Sequence, residues 1–245
     1  MYKIAEMPVN PPLGFRPLYR QVREALVARI AVGEWQPGEL LPSEPELAAG
    51  LGVSPGTVRK ALDAMEAENL IVRRQGRGTF LARHDDARIL FQFFKLSPDR
   101  GGQVFPQSRV LAVLHRRASA RAGEVLGIAA GAPVIAIDRV RELGGKLCVS
   151  ERITLPQALF ADLAPPLPNN LYEVYATRFG VTIARAEERL KAVLATKRDA
   201  ALLGVAEGAP LLQIDRTAHA LDGRPAEWRV SRCDTAAMHY LSDLR

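Results

Sequence analysis

The chain has 245 residues, 48% hydrophobic and 24% charged, an ordinary globular balance with room for one large domain or two ordinary ones. No stretch approaches the ~20 apolar residues a membrane span needs, and the opening MYKIAEMPVNPPLG, which carries Glu6 and no apolar run, is not expected to be a secretory signal. The net charge is +6, but residues 1–83 hold 11 Lys/Arg against 9 Asp/Glu and residues 84–245 hold 22 against 18, so neither part is a basic block that by itself announces nucleic acid. Cys148 and Cys233 lie far apart in sequence; in a cytoplasmic, reducing setting both thiols are expected to be free.

Residues 17–32, PLYRQVREALVARIAV, place Leu18, Val22, Leu26, Val27 and Ile30 at helical spacing behind Pro17. Gly33, Pro37, Gly38 and Pro42 then break the helix. Ser43 with Glu46 three residues on forms a capping-box pattern, predicting a short helix that ends at Gly50. After the LGVS connector, Ser54 caps a second helix, PGTVRKALDAMEAEN, whose inward stripe is Val58, Leu62 and Met65. LIVRR and TFLA read as two short strands around QGRG. Helix, short helix, tight turn, helix and basic hairpin describe a winged helix-turn-helix over residues 1–82. Such a fold must project the start of its second helix into a major groove. Thr57, Arg59 and Lys60 lie opposite the apolar stripe, while Arg73, Arg74 and Arg77 charge the hairpin. A charged helix face is commonly only a solvated face, so the ordered combination, rather than any one motif, points to DNA.

The same segment resembles the N-terminal domain of the GntR family of bacterial transcription regulators, through LPSE-x-ELA, GVS-x-GTVRKAL and QGRGTF across residues 17–82. The resemblance implies operator contacts from Ser54, Thr57, Arg59 and Lys60 on the recognition helix and from Gln75 and Gly76 in the wing. Two positions depart from it. The family often has an arginine where this chain has Pro45, and a basic or polar residue where it has Pro55. Neither proline offers a side-chain donor, so base readout is expected to lean on Arg59 and Thr57.

Residues 83–90 lack a clear period and read as a linker. FQFFKL follows, then a Gly-containing loop, SPDRGGQ. Beyond it β signals dominate in residues 91–245, with strands expected at 108–117 and 182–195 and helices at 119–128, NLYEVYATRF and 196–205. LGIAAGAPVIAIDR (126–139) returns 77 residues later as LGVAEGAPLLQIDR (203–216), identical at nine of fourteen positions. Over 118–139 against 195–216, eleven of twenty-two positions agree. Each copy reads as a helix capped by Ser119 or Thr196, a Gly-Ala-Pro turn and a strand, then a second strand across LGGK or LDGR. Two αββ units suggest one antiparallel sheet with approximate twofold symmetry and a ligand cleft between related halves. The fold class expected for the whole chain is α+β.

This layout resembles the UTRA ligand-sensing domain of the HutC-type branch of the same family, whose fold is similar to chorismate lyase; the signals are IDRVRE, the LP at 155–156, NLYE and GAPLLQIDR…DGRPAEW. The resemblance implies a homodimer and a small effector such as a phosphosugar, an amino-acid derivative or another metabolite. It places Arg139 and Arg141 on an anionic group; strand alternation puts both on one face, and paired guanidinia fork a carboxylate or phosphate. Glu151 and Glu227 would accept bonds from hydroxyls or a cationic nitrogen, and Asn170 and Tyr172 would sit at the N-terminus of the NLYE helix, where free N–H groups favour anions. Cys233 stands where several phosphosugar-sensing relatives have tyrosine, which argues against a sugar phosphate. Past the repeated Arg139 and Arg216, only the first copy adds a further arginine, Arg141 against Ala218, so an anion is expected to be gripped from the first copy's side.

The competing class is an enzyme acting on a small metabolite. The catalytic inventory is thin: His84, His115, His219 and His239 are scattered, and no Gly-x-Ser-x-Gly elbow, phosphate loop or Cys-x-x-Cys occurs. An all-helical, metal-binding sensor is disfavoured by the strand-rich second half. The expectation is a cytoplasmic transcription regulator, most simply a repressor, with operator DNA, a small anionic effector and a second copy as partners and no metal or cofactor.

Overall fold

The computed structural model describes residues 17–68, 70–82, 94–102 and 106–242; the expected linker at 83–90 lies outside the described residues. The N-terminal part contains helices α1 (Leu18–Ala31), α2 (Glu44–Leu51) and α3 (Pro55–Ala67), followed by strands β1 (Ile71–Arg74) and β2 (Gly78–Leu81) in an antiparallel hairpin. The cap signals act as their chemistry requires. Glu46 accepts from the Ser43 N–H at 2.8 Å and from its hydroxyl at 2.7 Å, and Ser54 Oγ accepts from the Thr57 N–H at 3.2 Å. α2 runs one residue past the expected Gly50, because Gly52 supplies the left-handed cap at φ +65° and bonds the Ala48 carbonyl. Leu26, Val58, Leu62 and Met65 form the centre of a sealed apolar core. The Gly/Pro segment after α1 does more than break the helix. Gly38 N–H bonds the Leu81 carbonyl at 2.8 Å and Leu41 N–H bonds Thr79 at 2.8 Å, so this stretch runs along the free edge of β2.

The C-terminal part is built on a six-stranded antiparallel sheet. Its strands are β4 (Gln107–Arg117), β5 (Pro133–Leu143), β6 (Lys146–Pro156), β7 (Ile183–Leu194), β8 (Pro210–Ala220) and β9 (Pro225–Cys233), in the order β4-β5-β6-β9-β8-β7. Helices α4 (Ala120–Leu126) and α6 (Lys197–Leu203) belong to the repeat, and α5 (Leu171–Phe179) joins its copies. Each copy therefore begins one strand earlier than the sequence suggested, as β4-α4-β5-β6 and β7-α6-β8-β9, with β6 and β9 meeting at the pseudo-twofold centre. The shared residues explain the echo. Ser119 Oγ accepts from Ala122 N–H at 3.1 Å and Thr196 Oγ1 from Asp199 N–H at 3.3 Å. Gly127 and Gly204 end the two helices at φ +63° and +68°.

The repeat helices cross over. α4 packs near Trp228 of β9, and α6 lies over β6, where Ser150 bonds Asp199 at 3.4 Å; each helix thus covers the central strand of the other copy. α5 covers the opposite face, its Tyr175 sealed beside Phe160, Ile153 and Leu155. One expectation is corrected. The start of the predicted SPDRGGQ loop is strand β3 (Leu96–Pro98), paired antiparallel with β10 (Met238–Tyr240) near the C-terminus. A three-residue strand ending in proline has no periodicity to read; its partner, 140 residues away, specifies it.

Candidate functional site

Two surfaces gather the candidate residues. On the N-terminal part, Ser54, Arg59 and Lys60 are exposed at the start of α3, and Thr57 is half-buried with its hydroxyl 2.9 Å from that of Ser54. Arg59 does not swing freely: its Nε and Nη2 each lie 2.9 Å from Glu44 Oε2 on α2. Arg73 is turned back onto α3, with Nη1 2.6 Å from Asp63 and 3.3 Å from Glu66 and Nη2 3.7 Å from Glu44. Arg74 lies over the Phe80 ring at 4.9 Å. Gln75, Gly76 and Arg77 form the exposed hairpin tip, closed by Arg77 N–H to the Arg74 carbonyl at 2.9 Å, with Gly76 in the left-handed region at φ +69°. Pro45 and Pro55 are exposed in the first turns of α2 and α3. The geometry leaves exposed one held arginine, Arg59, the further cations Lys60, Arg74 and Arg77, and the hairpin-tip backbone at Gly76.

The second surface is the α5-facing side of the sheet, where the register aligns side chains in rows across the strands. One row runs Val110, Arg139, Glu151, Ser231, Ile214, Leu190; the next runs Val113, Ile137, Ile153, Arg229, Arg216, Glu188. Arg139 makes a close ion pair with Glu151, whose second oxygen accepts from Ser231 at 3.1 Å and lies 3.7 Å from Arg229. Arg229 also grips Glu227 through Nε at 2.9 Å and Nη2 at 2.8 Å. The Glu227 carboxylate further accepts from the hydroxyls of Tyr172 at 3.0 Å and Tyr175 at 2.9 Å. Arg216 reaches Glu188 with Nε at 2.6 Å, and the Tyr240 hydroxyl meets the other oxygen of Glu188. Arg141 stacks on Phe94 at 4.6 Å.

All four arginines are buried, and among the described residues they face three glutamates, Glu151, Glu188 and Glu227. Burial pushes the Glu151 carboxyl up, but Arg139, Arg229 and Arg141 together outweigh it and hold it well below the usual range. Burial, then repulsion from Arg139, pushes Arg141 down to about 9. An arginine stays protonated at neutral pH regardless. Burial and the neighbouring Glu227 push the Tyr172 phenol up to about 12, so it remains a donor.

The structure brings Arg139, Arg141, Glu151, Tyr172 and Glu227 into this one cluster. Asn170 is the N-cap residue of α5, and the preceding Asn169 presents its carbonyl to Arg139 at 3.4 Å. Cys233 is fully buried across from Val149, which separates it in register from Arg141, and burial raises its thiol. Sequence reasoning missed Arg216, Arg229, Glu188, Ser231 and Tyr175. Arg216 and Arg229 of the second copy share the cluster with Arg139 and Arg141, the side from which an anion is expected to be gripped. Arg216 was detectable as the repeat mate of Arg139; Arg229 became visible only with the β8–β9 register.

The other face is different in kind. Asp138 holds Arg152 at 2.7 Å and Arg198 at 2.7 Å, and Asp199 holds Arg232 at 2.7 Å, around a pocket of about 220 Å³. The Arg198–Asp138 and Arg232–Asp199 pairs pin α6 to the sheet. Among the described residues no helix is long and apolar enough to cross a membrane.

Comparison with known proteins agrees with this two-part layout. Residues 18–81 match the model for bacterial regulatory proteins of the gntR family, and residues 101–239 match the UTRA domain. The chain is 29% identical over 233 residues to the HTH-type transcriptional regulator SmoD of Agrobacterium fabrum, covering 95% of this chain and 98% of that protein. It is 30% identical over 213 residues to the HTH-type transcriptional repressor NagR of Bacillus subtilis, covering 86% and 88%. The crystal structure of the ligand-binding domain of a GntR-family regulator from Bordetella bronchiseptica superposes with a TM-score of 0.58 at 34% identity, over 62% of this chain and 96% of that one.

Proposed function

The chain belongs to the GntR family of bacterial regulatory proteins, in the HutC-type branch with a UTRA domain, and we propose that it is a homodimeric repressor released or retained on its operator by a small anionic metabolite held in the arginine cluster. It is a DNA-binding transcriptional regulator; the relatives it matches are regulators, not enzymes. The reading assigns DNA binding to residues 1–82, the joint to 83–90 and effector binding and dimerisation to 91–245, in a cytoplasmic protein. A symmetric dimer would set two α3 helices in successive major grooves of a near-palindromic site, about one helical turn apart.

The observation that carries the effector class is the convergence of four buried arginines, Arg139, Arg141, Arg216 and Arg229, in one cluster. A carboxylate or phosphate suits such a cluster, because guanidinium forks match either. Hydroxyls or an amine on the same molecule would meet Glu151 and Glu227, and Asn170 and Tyr172 would close over it from α5. A thermal-shift screen of metabolic acids and phosphate esters tests this, since binding to the folded state raises the melting temperature. Anions should stabilise the protein and change its affinity for its own upstream DNA. Stabilisation only by neutral or cationic compounds would overturn the effector class. Absence of any sequence-selective DNA shift, together with turnover of a metabolite, would overturn the regulator.

A further inference from the structure

We propose that the short β3–β10 ribbon is the element that reads occupancy of the arginine cluster and passes it to the DNA-binding part, with Glu188 as the point of release; the inference rests on the cluster being an anion site. The ribbon is tied to the cluster twice. Phe94, two residues before β3, lies 4.6 Å from the Arg141 guanidinium, and Tyr240, in β10, bonds Glu188. The ribbon's own ladder is short: Leu96 to Pro98 pair with Met238 to Tyr240, flanked by Leu241 N–H to the Lys95 carbonyl at 2.8 Å and Asp99 N–H to Ala237 at 3.1 Å. Two short strands alone are marginal, so the ribbon holds its place through its side chains: these two ties and the packing of Leu96 and Met238 against Val149, Ile214 and Cys233. β3 is also the first described strand after the wing hairpin, and Lys95 beside it shares one pocket with Glu68 of the N-terminal part and with Glu188 and Tyr240.

Of the three cluster carboxylates, Glu188 is the replaceable one. Glu227 takes bonds from Tyr172, Tyr175 and Arg229, and Glu151 from Arg139 and Ser231. Both are sealed, whereas Glu188 sits on the outermost strand with 12% of its side chain exposed. An anion entering beside Arg216 competes with Glu188 before it competes with the other two. Once Glu188 leaves Arg216, Tyr240 loses a fixed acceptor; an anion drawn to Arg141 disturbs the Phe94 stack in the same event. Both ties of the ribbon then loosen together.

The test uses the full-length protein, inorganic phosphate as the probe, and Tyr240→Phe, which removes the hydroxyl and keeps the ring. In the wild type, saturating phosphate should raise amide exchange at residues 94–98 and 238–241 by about tenfold, within the usual range of coupling between sites. Tyr240→Phe should show that raised exchange without phosphate and gain little more on adding it, while its phosphate-induced thermal shift persists. The ribbon proposal is overturned if phosphate binds and wild-type exchange at these residues stays put. It is also overturned if Tyr240→Phe without phosphate exchanges like the wild type. A wild type that shows no thermal shift with phosphate or any other anion removes the anion site instead, and the ligand-free comparison still decides the ribbon.

Discussion

Arg139 and Arg216 occupy the same place in the two copies of the repeat, yet their carboxylate partners come from opposite sides: Glu151 on the inner neighbour β6, Glu188 on the outer neighbour β7. Where the first copy has Glu151 inside, the second has Arg229. The pseudo-twofold sheet therefore carries a strongly polarised pair of sites, one carboxylate locked at the centre and one at the rim.

That difference sets the cost of losing each partner. Glu151→Gln should destabilise by about 3–5 kcal/mol, because it leaves Arg139 and Arg229 buried beside an uncharged amide. Glu188→Gln, at the rim, should cost clearly less. Urea unfolding of both variants checks the order; equal losses would mean the cluster does not distinguish centre from rim.

Arg59 is predicted to carry base readout, with Glu44 holding its guanidinium in place. Arg59→Ala should weaken binding to a site selected from random DNA by about 1–3 kcal/mol, the range of one good bidentate base contact. Glu44→Gln should keep overall affinity but relax preference at the base Arg59 reads. Fluorescence anisotropy on the selected site and its single-base variants separates the two; an unchanged preference in Glu44→Gln would sink the positioning role.

Arg77, at the exposed wing tip, is predicted to serve the phosphate backbone. Arg77→Ala should weaken all sequences alike and reduce the slope of log affinity against log salt by about 1. A loss confined to one sequence would instead place Arg77 on a base.

Arg141→Ala should abolish the response of DNA binding to anions, since its guanidinium lies in the cluster and holds Phe94 beside the ribbon. Titration of operator binding with and without inorganic phosphate measures this. A normal response removes Arg141 from the pocket.

Acid should unfold the C-terminal part early. The hydrogen bond from Arg152, with that from Arg198, holds Asp138 below its ordinary value. At Glu151 burial works the other way but is outweighed by the surrounding arginines. A carboxyl with a depressed folded-state pKa stabilises fully above its unfolded value and loses that contribution as pH falls. The melting temperature should therefore hold near neutrality and drop from about pH 5 downward. Asp138→Asn should flatten part of that drop.

Much of the fold was legible because its punctuation is local. Ser43, Ser54, Ser119 and Thr196 cap helices through their own side chains, and the glycines after α2, α4 and α6 end them. The boundaries of β3 and β10 were not, since neither has a period and each exists through the other. In the site, Arg139, Arg141 and Glu151 could be placed by alternation on strands joined by a tight hairpin. Arg229 and Glu188 could not. A charged residue on a strand reads as solvent-facing until the neighbouring strand and its register are known, and α5, which closes over them, comes from the segment between the repeats.

The crossing of α4 and α6 has a historical corollary. Each helix packs partly on its own copy, Leu126 with Val134 and Leu203 with Leu211, and partly on the other copy's central strand, so one βαββ unit by itself leaves its helix half-seated. A half-length ancestor would bury its helix fully as a pair of identical chains clasped through those helices, and identical chains must treat Arg139 and Arg216 alike. Fusion into one chain is what let the inner carboxylate survive in one half and the outer one in the other. A half-length chain carrying either copy should accordingly run on gel filtration as a dimer or fail to fold; a stable folded monomer would refute that history.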